Sequence, residues 1–251
     1  MEQRFTHANK AESYNIGRPH YPEIFFEYLY GDFGLSDKSV ILDVGAGTGK
    51  ITREFLERKN TVYAVEPDKD MMMILKDNLS CYSNLIPIEE TAEETGISAN
   101  SIDFIFCGNS YMWFDRTYVV PEFQRIIRNN NNYNIVIARL GSGDDIYTKE
   151  LIEINNKYSL PKTGVAPNNF PPFDDGMFEE KTFDFVYSQS LNEFIHGCIS
   201  ASFAPNPGDN LFDDYCQSLS KLFNKYCIDG KLSGNFSLYC IMGDVKNLVI
   251  S

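Results

Sequence analysis

The ten residues Val40-Ile-Leu-Asp-Val-Gly-Ala-Gly-Thr-Gly49 constrain this chain more than any other stretch. Apolar and β-branched positions lead into three glycines spaced two apart, and a periodic segment follows from Lys50 to Arg58. That order reads as a buried strand turning tightly into a helix. Glycines at such a turn let the backbone approach a ligand and adopt angles that a Cβ forbids. Seventeen residues beyond Gly49, a second strand, Thr61-Val-Tyr-Ala-Val65, ends in Glu66. A carboxylate there can accept from both hydroxyls of a ribose. Together the two signals predict a site for a nucleoside-containing cofactor.

The glycine spacing narrows the choice of cofactor. A dinucleotide site calls for G-x-G-x-x-G, with the third glycine allowing close helix packing. Here Gly45, Gly47 and Gly49 give G-x-G-x-G. A phosphate-binding loop needs a hydroxyl residue after its Gly-Lys pair, and Gly49-Lys50 is followed by Ile51. Asp43 and Glu66 bracket the loop with negative charge, which disfavours a polyanion. They suit a ligand carrying an ammonium group and ribose hydroxyls.

A chain of 251 residues can form one well-buried α/β domain with an added cap. Its net charge of −13 argues against a long nucleic-acid footprint, which needs clustered Lys and Arg. The start, Met-Glu-Gln-Arg-Phe, is not an apolar leader, and no 18-residue apolar run follows. The expected location is therefore cytoplasmic, without membrane insertion. Six dispersed cysteines form no C-x-x-C pair, so neither a metal site nor a disulfide framework is expected. Cys107 and Cys240 lie in strand-like runs and read as small core residues.

Patterning predicts a short aromatic helix over 23–31, then strands near 40–44, 61–65, 85–88, 102–106 and 133–139. Helices are expected near 49–58, 69–79 and 117–128. This rhythm belongs to an open parallel sheet covered on both faces. Ligands bind such sheets beyond the carboxyl ends of the strands, where strand order reverses. Residues 144–159 read as helical, 160–176 as a Pro- and Gly-rich loop, and 129–132 as a solvated turn. Strands near 182–187 and 235–241 flank a helix around 211–227.

Three further stretches make the chain resemble the class I S-adenosylmethionine-dependent methyltransferases, in particular the group with trans-aconitate and ubiquinone/menaquinone biosynthesis enzymes. They are Tyr14-Asn-Ile-Gly-Arg-Pro-His-Tyr-Pro22, Val65-Glu-Pro-Asp-Lys-Asp-Met71, and Thr91-Ala-Glu93 with Ser101 through Asp115. The resemblance implies a Rossmann-like seven-stranded sheet in the order 3-2-1-4-5-7-6, with strand 7 antiparallel and a small helical cap. It implies one domain over 1–251: an N-terminal cover (1–35), a cofactor core (36–139), a substrate-side insertion (140–180), and strands and helix completing the sheet (181–251).

The cofactor implied is S-adenosylmethionine, with S-adenosylhomocysteine as its product form, and the partner a small-molecule methyl acceptor. On this resemblance Asp43 and the backbone of Gly45, Ala46, Gly47 and Thr48 face the methionine and sugar, while Glu66 and Pro67 lie at the ribose. Met71 packs on adenine, Ala92 offers it a backbone N–H, and Asn109 meets the amino-acid portion. Thr91 stands where many relatives have an Asp, so Glu93 is the alternative partner for the adenine amino group. Met112 replaces the family's usual His, which departs from a trans-aconitate-like acceptor site. Tyr14 and Arg18, four apart, share a face if helical, and Arg18 suits a carboxylate. Tyr21, Tyr111 and Trp113 are expected on the substrate side. His20 and His196 read as local hydrogen-bonding residues, and no catalytic base is assigned. Residues 10–22 and 144–176 are expected to order when cofactor binds. Alternative readings are methylation of a protein or nucleic acid, a non-catalytic cofactor-binding protein, and an NAD-dependent oxidoreductase.

Overall fold

Short apolar runs separated by helical segments build a seven-stranded sheet, described in a computed structural model over residues 9–128, 133–159, 172–174 and 176–250. In chain order the elements are α1 (Lys10–Gly17), α2 (Glu23–Gly31), β1 (Val40–Val44), α3 (Lys50–Glu57), β2 (Thr61–Val65), α4 (Lys69–Leu79), β3 (Leu85–Ile88) and β4 (Phe104–Gly108). Then follow α5 (Arg116–Ile126), β5 (Ile135–Ser142), α6 (Thr148–Tyr158), β6 (Phe178–Gln189), α7 (Leu191–Ile199), α8 (Phe212–Tyr226) and β7 (Leu232–Gly243). The strand order is β3-β2-β1-β4-β5-β7-β6, mostly parallel with β7 antiparallel, as expected. The order reverses at β1, which lies between β2 and β4 and pairs parallel to both.

The period of two along each strand sends side chains to two buried faces. Ile41, Val62, Ala64, Phe104 and Phe106 join Phe25, Phe55 and Leu75 in one cluster. Leu42, Val44, Ile105, Cys107 and Ile137 join Val119, Val120 and Phe123 in the other. Burying each large apolar side chain contributes about 1.5–3 kcal/mol against chain entropy, so both faces are needed to hold the parallel core.

The chain divides into two compact units. The sheet unit comprises the described residues of 20–141, 165–183 and 238–251, and the helical unit those of 1–19, 142–164 and 184–237. The expected cover 1–35 and closing segment 181–251 are therefore each divided between the two. In the helical unit, α6, α7 and α8 bury Tyr158, Ile195, Phe212, Tyr215, Leu219 and Leu222 together. α1 lies on α7 so closely that a Cβ on Gly17 would sit 1.9 Å from the Gly197 nitrogen. Ser13 Oγ lies 3.1 Å from His196 Nδ1, and Lys10 Nζ donates to the carbonyls of Ala201 (2.9 Å) and Ala204 (3.1 Å).

The first three strands have the predicted limits. The fourth begins two residues late, because Ile102 makes only a single bridge to Ile127 before the ladder to β1 starts. The last two strands run well beyond the predicted ends, and α7 had no predicted counterpart. The expected turn at 129–132 and most of the loop at 160–176 lie outside the described residues.

Candidate functional site

β1 ends at Val44, and the chain then turns through Gly45 and Gly47, with φ of 69° and 58°, to Gly49 at the start of α3. Space as well as conformation demands glycine at Gly45, where a Cβ would lie 2.4 Å from Ser110 Cβ. The loop after β1 is thus in contact with the loop after β4, at the reversal of strand order. The Gly45 and Ala46 amides donate to the Val65 carbonyl at 2.9 and 3.0 Å. Glu66 folds back over this turn: its Oε2 accepts from Gly47 N (2.8 Å) and its Oε1 from Asp68 N (3.0 Å). Each oxygen has lone-pair capacity left for a ligand hydroxyl. Burial pushes the Glu66 carboxyl above its ordinary value, opposed by the two amide donors.

Asp43 lies deeper, 1% exposed, and accepts from the Thr52 hydroxyl of α3. Burial pushes its carboxyl up to about 7; the Thr52 hydrogen bond opposes the shift and the Glu66 charge reinforces it. Asp43, next to last in β1, and Glu66, directly after β2, are close enough that the Glu66 charge acts on Asp43. Thr48 is 2% exposed, and its hydroxyl has no hydrogen-bond partner among the described residues. Leaving such a group unmatched costs about 1–3 kcal/mol, which a ligand oxygen or nitrogen would recover.

The remaining expected residues fall into separate groups. Pro67 is exposed beside Glu66. Asp68 caps α4 by accepting from Met71 N at 2.9 Å; Met71 is half-buried while Met72 enters the core. Ala92 is buried, Thr91 is exposed, and Glu93 Oε1 accepts from Asp115 N (3.0 Å), which ties it to the start of α5. Asn109 adopts a left-handed φ of 55° and accepts from Leu140 N (3.0 Å), bracing the ends of β4 and β5. Tyr21 packs edge-on against Phe106 (5.8 Å between centroids), within the α3 side of the core. Tyr111 is buried on the opposite face with Cys107 and Phe123, and Trp113 is 60% exposed. The three aromatics therefore do not form one wall. Tyr14 and Arg18 belong to the helical unit, where the guanidinium stands 5.1 Å from the Tyr14 ring centre.

Sequence reasoning missed Thr52 and Ser110. Thr52 was readable as a hydroxyl in the first turn after the glycine loop. Ser110, which donates to the Val44 carbonyl at 2.7 Å, had no local signal because its partner lies 66 residues away. Among the described residues no helix is long and apolar enough to cross a membrane, and no group of three or more His, Cys, Asp or Glu is placed to hold a metal ion.

Residues 42–132 match the family model of a methyltransferase domain. An uncharacterized methyltransferase of Mycobacterium bovis is 32% identical over 124 residues, covering 49% of this chain and 48% of that protein. The chain spans about half the length of the curated relatives it matches. A solved structure from Anaeromyxobacter dehalogenans, provisionally described as a type II methyltransferase, aligns with a TM-score of 0.63 at 18% identity, over 91% of this chain and 98% of that one. A Haemonchus contortus phosphoethanolamine N-methyltransferase, bound to phosphomonomethylethanolamine and S-adenosylhomocysteine, aligns with a TM-score of 0.50 at 16% identity, over 93% of this chain and 56% of that one. At these identities the likeness to the solved structures is one of fold.

Proposed function

We propose that this chain, whose residues 42–132 match a methyltransferase domain, is a class I S-adenosylmethionine-dependent methyltransferase that transfers a methyl group from that cofactor to a small-molecule acceptor and releases S-adenosylhomocysteine. The observation that carries the reading is the Gly45–Gly49 turn with the Glu66 carboxylate held over it by Gly47 and Asp68. When bound, the cofactor supplies an electrophilic methyl on a sulfonium. The protein's work is alignment and exclusion of water.

Glu66 accepts from the ribose hydroxyls with charge-assisted bonds. Asp43 faces the ammonium of the methionine portion, and the Thr48 hydroxyl donates to the carboxylate of that portion. Met71 and Ala92 bound the adenine, with Glu93 and Thr91 at its amino edge and Pro67 beside the sugar. Asn109 orients the end of β4 through its bond to Leu140. Arg18, beside Tyr14 in the helical unit, is the candidate for a ligand carboxylate, for which the guanidinium fork is suited. Tyr21 and Trp113 lie on the acceptor side. Reduced amide exchange is expected over 10–22 and 144–176 in the presence of S-adenosylhomocysteine.

A screen of small acceptors, scored by S-adenosylhomocysteine release from S-adenosylmethionine, tests the reading. Turnover stimulated by one small-molecule class is expected. Turnover only on a protein or RNA acceptor would transfer the assignment to a macromolecular methyltransferase. Tight cofactor binding with no turnover on any acceptor would count for a non-catalytic role.

A further inference from the structure

The stretch Thr91–Ile97, between β3 and β4, forms neither helix nor strand, so its polar groups must find partners outside a ladder. α5 supplies them. Glu93 Oε1 accepts from the amide of Asp115, the N-cap of α5, at 3.0 Å. Further along the helix, Glu122 Oε1 accepts from both the amide (3.0 Å) and the hydroxyl (2.6 Å) of Thr95. The Thr95 hydroxyl in turn accepts from Ile97 N at 3.2 Å. Ties at Asp115 and Glu122 pin the stretch at two points separated by two turns of α5, about 10 Å of helix.

Glu122 is more than half of a surface ion pair. Both it and Thr95 are buried. Arg125, one turn on, grips the same carboxylate with Nε on Oε2 (2.7 Å) and a terminal nitrogen on Oε1 (2.8 Å). A pair at that spacing forms equally well on a solvated helix face and does not call for a buried acid. Burial pushes the Glu122 carboxyl up, but the bonds from Arg125 and Thr95 outweigh it and hold the group below its ordinary value. The acid is therefore ionised at neutral pH, and a charged acceptor strengthens both Thr95 bonds. α5 is itself fixed, with Val119, Val120 and Phe123 fully buried. Glu122 passes that rigidity to the stretch that begins at Thr91.

We propose that Glu122 is a positioning residue for cofactor recognition, which through Thr95 holds Thr91–Glu93 in place to receive the adenine base. This rests on the methyl-transfer reading, in which Thr91, Ala92 and Glu93 meet the base. The Glu122 carboxylate is taken up by Thr95 and Arg125, so it acts through the stretch and not on the ligand. The consequence is selective. Loosening the stretch weakens the reading of the base edge, while Glu66 keeps its own bonds to Gly47 and Asp68 at the ribose.

The test compares wild type, Glu122→Gln, Thr95→Val and Thr95→Ser by calorimetry with S-adenosylhomocysteine and its deaminated analogue S-inosylhomocysteine, together with amide exchange of the free proteins. The expected result has four parts: S-adenosylhomocysteine affinity falls about tenfold in Glu122→Gln and Thr95→Val; the preference for adenine over the deaminated base narrows in both; exchange rises across 91–97 but not across 45–49; and Thr95→Ser, which keeps the hydroxyl, behaves as wild type. A merely structural acid would lower the melting temperature and raise exchange throughout while leaving the preference between the two bases unchanged, which overturns the proposal. So would undiminished S-adenosylhomocysteine affinity in a folded Glu122→Gln or Thr95→Val protein, an equal loss in Thr95→Ser, or no preference between the bases in wild type. If Glu122→Gln does not fold, or the analogue binds too weakly to measure, S-adenosylhomocysteine affinity and local exchange in Thr95→Val against Thr95→Ser decide alone. Failure of the wild type to bind S-adenosylhomocysteine would overturn the underlying reading too, and shows before any variant is made.

Discussion

Glycine does different work in the two units. In the sheet unit Gly45 holds a φ of 69° and has no room for a Cβ, because the turn after β1 must double back against Ser110. In the helical unit Gly17 and Gly197 lie within or at the end of ordinary helices, and their smallness lets α1 meet α7 backbone to backbone. The first need is set by neighbours in sequence, strand then turn then helix. The second is set by a partner some 180 residues away, as the Ser13–His196 pair shows with its separation of 183. A site made by local turns carries its own signature; a packing surface made by distant segments does not.

The sharpest break of this contrast is a pair of substitutions. Gly45→Ala forces an alanine into a left-handed conformation and against Ser110. Strain and overpacking together should remove about 2–6 kcal/mol from the unfolding free energy in urea. Gly17→Ala carries only the packing conflict with Gly197. It should cost about 1–3 kcal/mol, with increased amide exchange concentrated in α1 and α7. An equal or larger global loss from Gly17→Ala would show that conformational demand is not what separates the two units.

Asp43 gives a pH-dependent test within the sheet unit. Its carboxyl ordinarily titrates near 3.8 and is pushed up to about 7 by burial. Between those values the folded protein retains a proton that the unfolded chain releases, so stability falls as pH rises from about 4 to about 7 and then levels. The contribution is at most about 4 kcal/mol. Asp43→Asn removes it, so wild type should lose stability relative to the variant between about pH 4 and about pH 7. A constant difference would mean that Asp43 is already ionised in the free protein. Because a cationic ligand favours the ionised form, cofactor binding near neutral pH should also release protons from the wild type.

Legibility followed the same division. The limits of β1, β2 and β3, the glycine turn and Glu66 could be read because apolar runs, glycines and the strand-end acid are contiguous. The helix α7 was missed although Ser190 and Glu193 form a reciprocal capping box, a signal present in the sequence. α1 has no comparable apolar stripe; it is held by Gly17, Ser13 and Lys10, whose partners are distant. The aromatic residues show the limit of motif reading. Tyr21 and Tyr111 are carried by nearby motifs, yet the strand period sends their contacts to opposite faces of the sheet.

The central claim is that Glu66, held over the glycine turn, binds the ribose of S-adenosylmethionine, and calorimetry on wild type and Glu66→Ala tests it most directly. Wild type should bind S-adenosylmethionine and S-adenosylhomocysteine in clear preference to NAD. Glu66→Ala should weaken both by about 1–3 kcal/mol while the protein stays folded. Preference for NAD, or undiminished affinity in a folded Glu66→Ala protein, would contradict the account.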